Sequence, residues 1–288
     1  MKKMNMKKWL ALFLVLLLGM TAMVGCGGNN DAAEDEGEGE AVGDTSLQDV
    51  LDEGVITCAI SPDYAPYEYL DLTTGEVKGS DIVLAQYIAD QLGVKLEIEQ
   101  MSFESCLAAV QTGSVDMSTS CLSWTEDRAE TMNLSTYYNK DSSHGQTILV
   151  MADKADQFKT AEDFAGLKIA AQNGTTQWEM TTTQIPDVET TAISQMNDGL
   201  LMLMEGKIDG MATPVDVAQS YVENYPELAI PEFLFNNEEV GNVVAMAKGK
   251  DALLEKINEI VDQLEADGLY AQWLAEATED AAAQGLLD

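Results

Sequence analysis

Ala108-Ala-Val-Gln-Thr-Gly-Ser-Val-Asp116-Met117 and Leu201-Met-Leu-Met-Glu-Gly-Lys-Ile-Asp209-Gly210 are two versions of one pattern. Each reads as the end of an apolar helix, a glycine stop, a short strand and an early aspartate. Working outward from the first copy, Val55–Ile60 is a β-prone run closed by the turn at Ser61-Pro62. Asp81 to Leu92 carries Ile82, Leu84, Ala85, Ile88, Ala89 and Leu92 at helical spacing, and Gly93 stops it. Val94 to Ile98 alternates as a strand, Phe103 to Gln111 is helical, and Val115 to Ser120 is the next strand. Around the second copy, Leu167 to Ala171 is a strand followed by Asn173-Gly174-Thr175-Thr176 and a helix. Asp198 to Met204 is helical and Ile208 to Ala212 is a strand. Val243 to Met246 is a last strand; Leu253–Leu264 and Leu269–Leu274 are closing helices broken at Asp267-Gly268. Strands alternating with helices predict parallel βαβ units. The repeat predicts two similar α/β lobes rather than one continuous sheet.

The ends of the chain carry a different message. Lys2, Lys3, Lys7 and Lys8 precede an apolar run from Trp9 to Leu18, shorter than the roughly 20 residues of a transmembrane helix. Ala22-Met-Val-Gly-Cys26 resembles a bacterial lipobox, with methionine where leucine is usual. Residues 1–25 are therefore expected to be a lipoprotein signal peptide and Cys26 the lipidated residue. Residues 26–45 follow as an acidic, Gly- and Asn-rich tether that cannot bury enough surface to order itself. Membrane contact is expected through the N-terminal lipid only, which places the body outside the cytoplasmic membrane.

Without the signal's lysines the chain keeps 11 basic against 50 acidic residues, a net charge of −39. Nucleic acid is excluded as a partner, since phosphate binding needs a basic footprint. Cys58, Cys106 and Cys121 show no CxxC spacing, and His144 is the sole histidine, so no metal or other cofactor is expected. Cys58 and Cys121 could pair, or all three could be buried thiols.

Arg128 is the only arginine among 14 lysines. A planar, permanently charged fork does what lysine does badly, which is to grip a carboxylate through two parallel hydrogen bonds. The alternative is a structural ion pair with Glu126 or Glu130. Its neighbourhood carries the decision. Ser61-Pro-Asp-Tyr-Ala-Pro-Tyr-Glu68, Gly79-Ser-Asp81, Gln111-Thr-Gly-Ser-Val-Asp116, Ser123-Trp-Thr-Glu-Asp-Arg128, Leu134-Ser-Thr-Tyr-Tyr138, Gly174-Thr-Thr-Gln177 and Gly206-Lys-Ile-Asp209 occur in consistent order. Together they resemble the polar amino acid type of ABC-importer solute-binding proteins, family 3, over about residues 46–274.

That resemblance implies the type II periplasmic-binding-protein fold, two α/β lobes joined by two crossing segments. Lobe 1 would be 46–139 plus 239–278, lobe 2 would be 143–234, and 279–288 a C-terminal tail. It implies that Arg128 pairs with the ligand's carboxylate, helped by Thr125, with Ser120, Cys121 and Ser123 at the same strand exit. Gly174, Thr175 and Thr176 would offer donors from lobe 2, and Tyr64 and Phe103 would flank the ligand side chain. Each has a structural alternative: the aromatics as core, the hydroxyls as helix caps. The family's usual ammonium-binding acid falls on Pro214, which has neither carboxylate nor N–H. Either Asp216, two residues on, reaches in through a reshaped loop, or another carboxylate serves, or the ligand lacks a standard α-ammonium. Ser61 replaces an aspartate that meets basic side chains in members taking cationic amino acids, which argues against a cationic ligand. The implied partners are an amino acid and an ABC permease, and a monomer is expected. An enzyme of the same fold (dehydratase or glycan lyase type, with Glu68, Asp81 or Glu179 as acids) and a sensor acting in trans are the competing classes.

Overall fold

The computed structural model describes residues 43–140, 145–237 and 241–286. The expected signal peptide, Cys26, the expected tether up to residue 42 and His144 lie outside the described residues. The chain starts with α1 (Ser46–Glu53) and β1 (Val55–Ile60), then a small antiparallel sheet of β2 (Asp63–Tyr64), β3 (Glu68–Leu70) and β4 (Val77–Lys78). There follow α2 (Ser80–Leu92), β5 (Lys95–Gln100), α3 (Phe103–Thr112), β6 (Met117–Ser118), α4 (Glu126–Thr131) and β7 (Met132–Leu134). The second lobe holds β8 (Gln146–Met151), β9 (Lys168–Gln172), α5 (Thr176–Gln184), β10 (Glu189–Ile193), α6 (Met196–Met204), β11 (Gly210–Pro214), α7 (Val215–Asn224) and β12 (Leu228–Ala229). The chain then returns to the first lobe as β13 (Ala245–Ala247), α8 (Asp251–Ala266) and α9 (Leu269–Ala283).

The strand orders are β5-β1-β6-β13-β7 and β10-β9-β11-β8-β12. They are the same pattern twice: three parallel strands, one antiparallel strand contributed by a crossing segment, and an outer strand. Apolar side chains of helices cover both faces of each sheet. Ile56, Leu84, Ile88, Val244 and Ile257 pack on one side of the first, and Phe103, Val110 and Val243 on the other. Ile169 with Phe164, and Met211 with Leu200 and Leu203, do the same for the second. This burial on both faces is what parallel sheets require.

The repeated aspartates explain why the pattern folds alike in both places. Asp116 N–H donates to the Thr57 carbonyl while its Oδ2 accepts the Thr57 N–H at 2.9 Å. Asp209 N–H donates to the Lys168 carbonyl while its Oδ2 accepts the Lys168 N–H at 3.0 Å. Each carboxylate also faces a lysine three residues past the antiparallel strand: Lys250 at 2.9 Å from Asp116, Lys154 at 3.8 Å from Asp209. The early aspartate thus takes the place of the first rung of the ladder. The strands start after it, at Met117 and Gly210, later than the sequence pattern predicts.

Three further boundaries differ. The expected strand 115–120 is reduced to two residues because Cys121 N–H turns back onto the Thr119 carbonyl. The tail expected from residue 279 is helical through Ala283. Ala277 and Ala281 continue the buried stripe of α9, and the Tyr69 hydroxyl donates to Asp280 Oδ2 at 2.7 Å. Asp44, expected in the tether, is also tied down. Its carboxylate accepts the Ser46 N–H at 2.9 Å and the Ala252 N–H in the first turn of α8.

Candidate functional site

The carboxyl ends of β1, β6, β9 and β11 all open on one cavity between the lobes, the place where α/β sheets leave backbone groups free for ligands. Its volume is about 60 Å³. At roughly 10–15 Å³ per water, that is the volume of a few waters or the polar body of a small solute.

Lobe one builds its wall from a sharp strand exit. Cys121 sits at φ 46°, in the left-handed region that a side chain with a Cβ rarely occupies. Its N–H donates to Asp81 Oδ2 at 2.6 Å and its carbonyl accepts from Asn242 Nδ2 at 2.9 Å. Asp81 also accepts the hydroxyls of Tyr138 (2.9 Å) and Tyr270 (2.5 Å). Burial pushes its carboxyl up to about 7, and these three donors hold it from rising further. Asp81 is therefore the post that fixes the exit, and the exit turns Ser120, Cys121 and Ser123 toward the cavity. Ser120 Oγ accepts the Ser61 N–H at 2.8 Å, joining the ends of β1 and β6.

Arg128 lies in the first turn of α4, 9% exposed. Its Nη1 donates to the Ser123 carbonyl at 2.6 Å and its Nη2 to the Gly174 carbonyl of the other lobe at 2.9 Å. The guanidinium carbon stands 5.6 Å from the centre of the Phe103 ring, within range of a cation–π contact. Gly174 has φ 79°, a conformation glycine adopts without steric cost. It delivers the chain into Thr175, the cap of α5, whose Oγ1 accepts the Trp178 N–H at 3.2 Å. Thr175, Thr176 and Gln177 then line the cavity at a helix N-terminus, where backbone N–H groups and the dipole favour an anion.

Acidic groups face this positive end. Asp63 reaches across the cleft: its Oδ2 accepts the Met196 N–H of α6 at 2.9 Å and Gln172 Nε2 at 3.1 Å. Burial raises its carboxyl above the usual range despite those donors. The Tyr67 hydroxyl donates to Asp216 Oδ2 at 2.7 Å, a further bond between lobes. Pro214 ends β11 as the cap position of α7 and makes no side-chain cap bond; Asp216 follows in the first turn. Glu68 is 1% exposed and lines the same cavity.

Nine of the eleven expected residues line this cavity: Arg128, Ser120, Cys121, Ser123, Tyr64, Phe103, Thr175, Thr176 and Asp216. Thr125 and Gly174 line a neighbouring cavity on the far side of Arg128, together with Thr131 and Glu179. Thr125 spends its hydroxyl on capping α4, accepting the Arg128 N–H at 3.2 Å. Phe103 is both core and site, since it packs with Val110 and Leu122 while lying under the guanidinium. Cys58, Cys106 and Cys121 are free thiols, and burial pushes those of Cys58 and Cys106 up to about 12.

The sequence reading missed Asp63, Tyr67, Gln146, Gln172, Gln177 and Asn242, and passed over Glu68 as one acid among many. Gln172 had a usable signal, as the last residue of a parallel strand. Asp63, Tyr67 and Glu68 had one too, inside the motif after β1. Among the described residues no cluster of His, Cys, Asp and Glu is placed to hold a metal ion.

Comparison with known proteins follows the same lines. The chain is 26% identical over 218 residues to the ABC transporter arginine-binding protein 1 of Escherichia coli K12, covering 75% of this chain and 87% of that protein. It is 24% identical over 281 residues to the ABC transporter glutamine-binding protein GlnH of Bacillus subtilis, covering 94% and 98%. Among solved structures, it is similar to the amino acid ABC transporter substrate-binding protein AbpA of Streptococcus pneumoniae bound to L-arginine. That match has TM-score 0.76 and 30% identity, and covers 81% of this chain and 98% of that one. These relatives are substrate-binding receptors of the type II periplasmic fold, not enzymes, and the two lobes here have that architecture. The family model for bacterial extracellular solute-binding proteins, family 3, matches residues 56–277, and the chain belongs to that family.

Proposed function

We propose that this protein is a lipid-anchored receptor that captures a small amino acid between its lobes by the ligand's carboxylate and delivers it to an ABC importer. The observation that carries the reading is Arg128, buried at the cleft and oriented by one carbonyl from each lobe. It faces a cavity that the start of α5 also lines. A fixed guanidinium fork opposite helix N–H groups suits a carboxylate in a desolvated site. Asp216 is the group for the ammonium, in the role that Pro214 cannot fill. Transport is the role named for relatives that bind arginine or glutamine. Closing of the lobes on the ligand is the event the permease reads. The receptor acts as a monomer, held to the outer face of the membrane by lipid on Cys26.

A thermal-shift screen of the purified protein against the standard amino acids and simple dicarboxylates tests the reading. A selective rise in melting temperature that Arg128→Lys abolishes is the expected result. Shifts by dicarboxylates alone would remove the amino acid from it. Cys26→Ser should move the protein from the membrane fraction to the medium or periplasm.

A further inference from the structure

Helix α6 has no side-chain cap of its own. Its cap position is Gln195, whose side chain makes no capping bond, and glutamine is not among the residues that serve well there. The partner for the first N–H of the helix comes from the other lobe: Asp63 Oδ2 accepts the Met196 N–H at 2.9 Å. The same oxygen accepts Gln172 Nε2 at 3.1 Å, and Gln172 also donates to the Ser194 carbonyl just before the helix. One lobe-one carboxylate thus completes the junction of β9 and α6 in lobe two.

Asp63 is aimed there from its own side. Its Oδ1 accepts the Ser61 hydroxyl at 2.8 Å, and the Ser61 N–H is fixed on Ser120 Oγ at 2.8 Å. An aspartate at position 61 would set a like charge where the serine sets a donor, so the departure at Ser61 favours this hold. The neighbouring Tyr64 packs against the lobe-two cluster that contains Leu149, Leu200 and Val217. Both carboxylate oxygens are therefore engaged by groups of the protein. Bonds to an ionised acceptor are the stronger kind, and the two to Oδ2 exist only while the lobes are together.

We infer that Asp63 is a latch, a positioning residue that holds the lobes together through α6 and so stabilises the closed cleft with the protein's own groups. Arg128 and Asp216 also bond across the cleft, but both are assigned above to the two ends of the ligand. Asp63 serves closure whatever solute fills the cavity. Its loss lowers the affinity for every ligand by one common factor, because the closed population falls. Loss of a ligand contact would instead discriminate between ligands.

Hydrogen exchange of isotope-labelled methionine amides in the full chain, with no ligand added, tests the latch. In wild type the Met196 amide should exchange about 10- to 100-fold more slowly than in Asp63→Ala. Met211 and Met246, in the sheets of the two lobes, should keep their protection in both. Small-angle scattering of the variant should show more widely separated lobes. Ser61→Ala keeps the carboxylate but loses its hold, and should speed Met196 by a smaller factor; it carries the test where Asp63→Ala does not fold. A Met196 amide that exchanges equally fast in wild type and in Asp63→Ala overturns the latch. So does a loss of protection at Met196, Met211 and Met246 together, which would make Asp63 a part of the fold instead. No ligand enters these measurements, so the latch and the amino-acid reading fail separately.

Discussion

Asp116 and Asp209 make the same bonds in the two lobes, but five residues further along the lobes part. After β6 the chain kinks through the left-handed Cys121 and presents Ser123 and, a turn later, Arg128. After β11 it runs through Pro214 straight into α7 and presents Asp216. Lobe one therefore brings the buried guanidinium. Lobe two brings the N-terminus of α5, three glutamines and the acid that ties to Tyr67. The repeat holds where the chain builds its sheets and breaks where it lines the cavity. A symmetric pair of exits would give a symmetric cleft, with no way to orient a molecule that has an acidic and a basic end.

The largest expected effect lies at the break. Arg128→Lys keeps the charge and loses the fork, and with it the bonds to Ser123 and Gly174. Ligand affinity should fall about 100-fold or more while folding, followed by circular dichroism, is retained. An unchanged affinity would leave Arg128 as a fastener of the lobes only.

The next pair sharpens the symmetric side. Asp116→Ala removes an acceptor whose side chain is 18% exposed and strands the Thr57 N–H and Lys250; urea unfolding should show a loss of about 2–3 kcal/mol. Asp209→Ala touches a more open site, with the carboxylate 34% exposed and Lys154 3.8 Å away. The loss there should be about 1 kcal/mol. Equal losses would mean that the two aspartates are equivalent in energy as well as in geometry.

Acidity separates the two kinds of aspartate. Burial raises the carboxyl of Asp116, but Thr57 and Lys250 outweigh it, so the folded value lies below the usual 3.8. Its stabilisation is present above that pH and lost as pH falls through the lower folded value. Asp81 runs the other way, from 3.8 up to about 7 on folding. The native state then binds the extra proton, so stability declines as pH rises through that window. The melting temperature should rise as pH is lowered from 8 to 5, and Asp81→Asn should flatten the profile. A profile that stays equally steep in the variant would assign the trend to the net charge of the chain instead.

The smallest effect is expected at the cross-cleft bond. Tyr67→Phe removes one hydrogen bond to Asp216 and should cost about 1 kcal/mol. In small-angle scattering the distribution should shift toward separated lobes.

The residues themselves explain how far the sequence could be read. Helical spacing from Ile82 to Leu92 and the glycine stops at Gly93 and Gly113 are local signals, so α2 and α3 were legible. Arg128 was legible because one arginine among lysines is a compositional anomaly within an ordered set of motifs. The short strand β6 was overestimated, since the Cys121 turn depends on Asp81, 40 residues away. Glu68 was legible only as the last residue of the motif after β1. In a chain with 50 acidic residues, nothing local says that this one is buried.

Sequence alone determined that this chain folds as two α/β lobes and that Arg128 is set apart, because periodicity, glycine stops and composition are written in neighbouring residues. Only the tertiary structure decided which acids face the cleft. Desolvation and donor supply depend on what packs around a carboxylate, and the partners of Asp63, Asp81 and Asp216 come from up to 189 residues away along the chain.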